Sequence, residues 1–136
     1  MKRILPLILL LIITSSMLLS CGLSATQIEN NLKNEGYVST KWDEEKIQEK
    51  FPTLWDKEEY KLTSAFSGAL DGENKILVVQ LETAAQARHF ASDVNTYIED
   101  ELILVNVEGR LVLIGQLQEI NIALGKVQST NTDSSK

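Results

Sequence analysis

The fold class of this chain follows from residues 60–115, which read YKLTSAFSGALDGENKILVVQLETAAQARHFASDVNTYIEDELILVNVEGRLVLIG. Residues 60–70 alternate between apolar and polar side chains, which predicts a strand whose buried side carries Leu62, Phe66 and Leu70. Residues 71–74 have turn composition, and residues 75–82 are rich in aliphatic and β-branched side chains. The two runs together predict a β-hairpin.

A helix and a second hairpin are predicted next. Thr83 and Gln86 have the spacing of a capping box, so a helix is expected to about Ile98, with a buried stripe formed by Ala87, Phe90, Ala91, Val94 and Ile98. Residues 101–107 and 110–115 are expected to be strands joined by the two-residue turn Glu108-Gly109. A last helix at residues 116–124 is expected to stop at Gly125 and to bury Leu117, Ile120 and Leu124.

Short helices are predicted ahead of this unit. Thr26 and Glu29 have capping-box spacing, and Gly36 is a natural stop for the helix that they begin. Residues 37–41 favour a brief extended segment. Asp43 is expected to cap a second helix that ends near Phe51, with Trp42 and Ile47 at the spacing of a hydrophobic staple.

This order of elements predicts an α+β fold. Strands and helices do not alternate for long enough to build a doubly wound parallel sheet. We therefore expect a mainly antiparallel four-stranded sheet in a hairpin-helix-hairpin-helix order, packed by helices on one face and preceded by the short N-terminal helices. Residues 21–125 are expected to form a single domain, and residues 126–136, rich in Ser, Thr and Asn, a disordered polar tail.

The first 20 residues have the features of an export signal. Lys2 and Arg3 form a short basic region, and residues 4–19 are an almost unbroken apolar run, a little short for a transmembrane helix. The run ends in Leu18-Leu19-Ser20-Cys21, which resembles the lipobox of bacterial lipoproteins. This resemblance implies that a diacylglyceryl group is attached to the Cys21 thiol and that the signal is cut just before it.

The resemblance also implies a location. Two or three acyl chains on Cys21 would anchor the domain stably to the extracytoplasmic face of the cell membrane. The chain is similar in general style to small Firmicute cell-surface lipoproteins of unknown function, in its lipobox and in residues 75–82, 84–90 and 106–115. That similarity implies an architecture and a compartment, and no activity.

The charge and the cysteine content of the chain argue against nucleic-acid binding and against a disulfide-stabilised fold. The chain carries 13 basic and 19 acidic side chains, and two of the basic ones, Lys2 and Arg3, leave with the signal. An acidic domain repels nucleic-acid phosphates, so we expect no nucleic-acid partner. Cys21 is the only cysteine, so the exported domain has no internal disulfide and depends on its own core.

Few residues have the type and spacing that catalysis or metal binding requires. His89 and Asp93 are four apart on the predicted helix and could reach one metal ion, but two ligands do not complete a site, so a solvated helix face is expected. Three acidic clusters lack the spacing of a calcium loop; they are Asp43-Glu44-Glu45, Asp56/Glu58/Glu59 and Glu99-Asp100-Glu101. Ser67 is expected to face solvent, and no Gly-x-Ser-x-Gly elbow is present. We expect neither a catalytic site nor a cofactor.

Four aromatic residues crowd one irregular stretch, namely Tyr37, Trp42, Trp55 and Tyr60. They could line a binding patch or cover one edge of the core. The function expected from the sequence is therefore a membrane-anchored, non-catalytic binding or interaction module, with an envelope protein as one kind of partner. The alternatives are an envelope enzyme or accessory using surface carboxylates, and a phage or toxin immunity lipoprotein.

Overall fold

The fold is α+β, built on an antiparallel sheet, as the sequence predicts. The computed structural model describes residues 23–126; the predicted signal, the lipobox-like segment with Cys21 and the predicted tail beyond residue 126 lie outside them. In chain order the elements are α1 (Ala25–Asn34), β1 (Val38–Lys41), α2 (Glu44–Lys50), β2 (Leu62–Leu70), β3 (Glu73–Leu81), α3 (Ala84–Tyr97), β4 (Leu104–Glu108), β5 (Leu111–Gly115) and α4 (Leu117–Ala123). The strand order is β1-β2-β3-β5-β4, and every neighbouring pair is antiparallel.

The sheet has five strands, so the prediction of four was wrong. The extra strand is β1, which pairs with β2 from Val38 opposite Ala69 to Lys41 opposite Phe66. Four residues are too few to show a clear alternation, and β1 exists because it extends the edge of a hairpin formed much later in the chain. The brief extended segment expected at residues 37–41 corresponds to this strand.

Helices cover both faces of the sheet, which corrects the prediction that they pack on one face. On the α3 face, α2 and α3 pack over strand residues Ala65, Leu77, Val79, Leu81, Val112 and Ile114. On the α1 face, α1 and α4 pack over Phe66, Ile76, Val78, Leu111 and Leu113. Central strands buried on both sides are continuous apolar runs, and all five residues of β5 are buried.

Strand β2 changes phase along its length. The register shifts between Leu62 and Ser64, which marks a bulge. Leu62 therefore packs on the α3 face, whereas Phe66 and Leu70 pack on the α1 face. The prediction that these three residues share one buried side was wrong, because an extra residue in a strand reverses the direction of the side chains beyond it.

Side-chain caps begin three of the four helices in residues 23–126. Asp43 accepts from the Lys46 N–H at 2.9 Å and Thr83 accepts from the Gln86 N–H at 3.1 Å, so both predicted caps are confirmed. The first helix, however, is capped two residues earlier than predicted, by a reciprocal pair between Ser24 and Gln27. Gln86 does not close a box with Thr83; its side chain accepts from the Lys61 N–H at 2.9 Å and ties α3 to the start of β2.

The two hairpin turns use left-handed backbone. Asp71 and Gly72 have φ angles of 56° and 80° in the predicted first turn. In the second hairpin Glu108 pairs with Leu111, so the turn is Gly109-Arg110 and lies one residue later than predicted. Gly109 has a φ of 62° at the first turn position, which glycine adopts without strain.

Of the three residues predicted to be buried in the last helix, Ile120 is buried, Leu124 is partly buried and Leu117 is exposed. Leu117 is 58% exposed, whereas Glu119, Ile120, Ile122 and Ala123 are buried. The Tyr37 hydroxyl donates to the Glu119 carboxylate at 2.8 Å, and the Asn31 side-chain amide donates to the Ala123 carbonyl at 2.8 Å. These two bonds join α4 to the segment around α1 and fix the face that α4 buries.

Residues 23–126 contribute strands and helices to both hydrophobic clusters. A segment with its own hydrophobic core can fold by itself, so we expect this part of the chain to fold without the residues that precede it. No helix in residues 23–126 combines the length and apolarity needed to cross a bilayer.

Candidate functional site

A cavity of about 370 Å³ lies on the α3 face, between the sheet and the C-terminal ends of α2 and α3. Its floor includes the buried side chains of Phe51, Leu77 and Ile114. Partly buried walls are formed by Trp42, Ile98 and Ile103. Small-molecule sites commonly have volumes of roughly 300–1,000 Å³ and mostly apolar linings with a few polar groups. The size and lining of this cavity fit that description.

One buried polar pair contributes to the cavity lining. Ser67 is only 1% exposed, and its hydroxyl accepts a hydrogen bond from the Trp42 indole N–H at 3.1 Å. The prediction that Ser67 faces solvent was wrong, because Ser67 is buried and the Trp42 side chain contacts its hydroxyl on this side of β2. No local pattern in the sequence marks Ser67 as buried, since the cover comes from residues far from it along the chain.

Charged residues surround the mouth of the cavity: Lys50, Lys75, Glu99 and Asp100. The Lys75 ammonium lies 2.9 Å from the Glu73 carboxylate. The hydrogen bond between them lowers the pKa of Glu73 and raises the pKa of Lys75. Asp100 accepts the Leu102 N–H at 2.9 Å, which holds its carboxylate in the turn after α3.

The four aromatic residues predicted as a possible binding patch do not form one surface. Tyr37 is buried on the α1 face, whereas Trp55 and Tyr60 are buried on the α3 face. Trp55 and Tyr60 pack around Phe90, with ring centroids 5.4 and 5.3 Å from it. Of the four, Trp42 alone lines the cavity. Three of them therefore act as core, and Trp42 joins the core to the candidate site.

The His89 region is a second cluster of polar groups, away from the cavity. His89 Nδ1 lies 2.6 Å from the Glu59 carboxylate, and His89 Nε2 lies 3.8 Å from the Asp93 carboxylate. Asp93 also accepts a hydrogen bond of 2.6 Å from the Tyr60 hydroxyl. The predicted proximity of His89 and Asp93 is confirmed, and Glu59 joins them from the loop between α2 and β2.

The His89 cluster connects the loop between α2 and β2 to helix α3. The His89 side chain is about half exposed, and its partners in the described part of the chain are two carboxylates. No group of three His, Cys, Asp or Glu residues placed to hold a metal ion occurs in residues 23–126. The other acidic residues also have local roles: Glu44 accepts from the Trp55 indole N–H at 3.0 Å, and Asp56 from the Glu58 N–H at 2.9 Å.

Removing the Tyr60 hydroxyl tests this cluster and gives a pH-dependent result. Burial, with the hydrogen bond to Asp93, raises the pKa of Tyr60 well above its ordinary value of about 10. At pH 7 the Tyr60→Phe variant should lose about 1–2 kcal/mol of unfolding free energy. Above pH 10 tyrosine ionises in the unfolded chain but stays protonated in the folded one, so the parent should lose about 1.4 kcal/mol per pH unit from this group.

The stability gap between parent and variant should therefore narrow as pH rises from 10 to 11, measured by urea unfolding at each pH. Tyr97→Phe is the matched control, because the Tyr97 ring is 46% exposed and its hydroxyl has no hydrogen-bond partner within residues 23–126. If the stability difference between the parent protein and Tyr60→Phe stayed constant from pH 10 to 11, the raised pKa assigned to Tyr60 would be wrong.

Comparison with known proteins adds no relative to this picture. No protein-family model, no curated protein and no solved structure matched the chain significantly.

Proposed function

We propose that this protein is a lipid-anchored binding module on the extracytoplasmic face of the cell membrane. The observation that carries the proposal is the order of residues 1–21: a basic start, an apolar run and the lipobox-like Leu18-Leu19-Ser20-Cys21. A thiol at the new N-terminus is the atom that receives the diacylglyceryl group in such a sequence. The acidic domain itself offers anionic lipid headgroups no attraction, so the acyl chains supply the attachment.

The cavity on the α3 face supports a binding role. It offers an apolar floor, a buried hydroxyl at Ser67 and charged residues at its mouth. Pockets of this kind orient a ligand through few polar contacts and gain affinity from the apolar surface that the ligand buries. We propose the cavity as the ligand site of the module.

The surroundings of His89 favour binding over catalysis. Nucleophilic catalysis needs a hydroxyl or thiol within hydrogen-bond reach of a base. Within residues 23–126, His89 pairs with Glu59 and Asp93, and the hydroxyl next to this cluster belongs to the fully buried Tyr60. These groups fit a structural link between loop and helix.

The mass of the native mature protein tests the anchor. Protein purified from the membrane of its own host should begin at Cys21 and should be heavier than the bare residues 21–136 by the mass of a diacylglyceryl group or more. Digestion should place the extra mass on the peptide that contains Cys21. A mature start at any other residue, or a free thiol at Cys21, would refute the proposal.

A further inference from the structure

We infer that the cavity on the α3 face takes a small amphiphile that carries a positive charge next to an apolar body. This inference rests on the proposed function, because it names the class of ligand for the proposed site. Four features of the cavity favour such a ligand: the apolar floor, the uncompensated negative charge at the mouth, the exposed Tyr97 ring and the Ser67 hydroxyl proton.

The floor requires an apolar body in the ligand. The side chains of Phe51, Leu77 and Ile114 are buried and consist only of hydrocarbon or ring atoms. Water in contact with such a floor is poorly hydrogen-bonded, and its displacement by an aliphatic or aromatic group is favourable. A wholly polar ligand would leave this surface unused.

The charges at the mouth favour a cation. Lys75 is already paired with Glu73 at 2.9 Å, and Lys50 lies in the last turn of α2, where it offsets the negative end of that helix. Helix α3 also ends at the cavity, but its last turn holds no basic residue. Glu99 and Asp100 follow directly and have no ion-pair partner within residues 23–126. The negative charge on this side of the mouth is therefore uncompensated.

An aromatic ring strengthens the same preference. Tyr97 lies at the mouth with its ring 46% exposed, and its centroid is 6.1 Å from that of Phe51. The face of such a ring attracts an ammonium group. Trp42, on another wall, already holds the Lys46 ammonium 4.8 Å from its ring centroid, so the Tyr97 ring is the one available to a ligand.

Ser67 adds a polar contact inside the cavity. Its hydroxyl accepts from Trp42, and no acceptor for its own proton lies among residues 23–126. A hydroxyl carries one proton that it can donate in addition to the bonds that it accepts. A ligand oxygen near the inner end of the apolar body would therefore complete the bonding of a side chain that is 1% exposed.

Three probes of equal chain length test the charge preference: octylammonium, octanoate and 1-octanol. Residues 22–136 labelled with ¹⁵N give two indole N–H signals, since the chain has two tryptophans, and a Trp42→Phe sample assigns them. Octylammonium should shift the Trp42 signal saturably. The Trp55 indole, which bonds Glu44 outside the cavity, should stay in place. The Kd of octanoate should be at least about tenfold weaker than that of octylammonium.

A variant without the two negative charges tests whether Glu99 and Asp100 cause the preference for a cation. Glu99→Gln combined with Asp100→Asn keeps the acceptor that holds Leu102 and should remove most of the difference between octylammonium and octanoate. The matched control is Glu45→Gln with Glu58→Gln, which changes the net charge equally at two exposed residues outside the cavity and should leave the difference intact.

The outcomes separate this inference from the proposed function. If octanoate binds as tightly as octylammonium, the cationic ligand class is wrong while the cavity stays a binding site. If the Glu99 and Asp100 variant keeps the preference for octylammonium, the assignment of that preference to these two carboxylates is overturned. If no probe shifts the Trp42 signal, the cavity is not the ligand site, and both the inference and that part of the proposed function are overturned.

Discussion

Replacing Cys21 with alanine should abolish incorporation of fatty acid into this protein and leave the chain 20 residues longer than its mature form. Each acyl methylene buried in a bilayer contributes about 0.8 kcal/mol, so losing two or three chains removes nearly all of the attachment free energy. Without the thioether the signal should also stay uncut. The measurement combines metabolic labelling with a clickable fatty acid and gel mobility of the tagged protein.

Gly22→Ala is the control for this substitution, because it changes the neighbouring residue and keeps the thiol. It should be labelled and processed like the parent. A globomycin-type inhibitor of lipoprotein processing should separate the two steps, because the parent should then accumulate as a labelled but uncut form. Labelling of the Cys21→Ala variant at parental levels would exclude Cys21 as the site of the lipid.

Replacing Phe90 with alanine should lower the free energy of unfolding by about 3–5 kcal/mol. Phe90 is fully buried in the middle of α3, and three rings surround it: Phe51, Trp55 and Tyr60, at centroid distances of 5.6, 5.4 and 5.3 Å. Removal of the Phe90 ring leaves a space between these three rings, and the loss grows with the volume that stays unfilled. A loss of this size is a large share of the roughly 5–15 kcal/mol that folded domains have.

The measurement is urea unfolding of residues 22–136, followed by circular dichroism. Ser92→Ala on the exposed side of the same helix is the matched control and should change stability by no more than about 0.5 kcal/mol. A loss below about 1 kcal/mol for Phe90→Ala would show that the aromatic cluster on the α3 face does not hold the domain together.

Local signals predicted much of the fold. The caps at Asp43 and Thr83 and the turn at Asp71-Gly72 each depend on residues a few positions apart and are confirmed, as is the buried stripe of α3 except for Ile98, which is partly buried at the C-cap. Two local predictions were wrong by one or two residues, because Ser24 caps the first helix and the second turn is Gly109-Arg110. The larger errors concern distant residues. The strand β1, the second layer of helices and the burial of Ser67 each depend on elements far away along the chain.

In the candidate sites too, contacts between residues close in the sequence could be predicted, and contacts between distant residues could not. His89 and Asp93 could be paired from their spacing on a helix, but Glu59 comes from a loop thirty residues earlier and no pattern connects it to them. Trp42 was singled out as an aromatic residue, yet its place beside Ser67 depends on how β1 meets β2. No sequence pattern could have predicted the cavity, because residues from six separate segments of the chain line it.

The two-sided arrangement of helices has a consequence for access. Helix α1 begins four residues after Cys21 and packs on one side of the sheet together with α4, whereas the cavity opens on the other side. The whole thickness of the sheet therefore separates α1 from the cavity. A ligand of the proposed site would enter from the face of the sheet opposite to α1, the helix that follows the proposed lipid attachment in the chain.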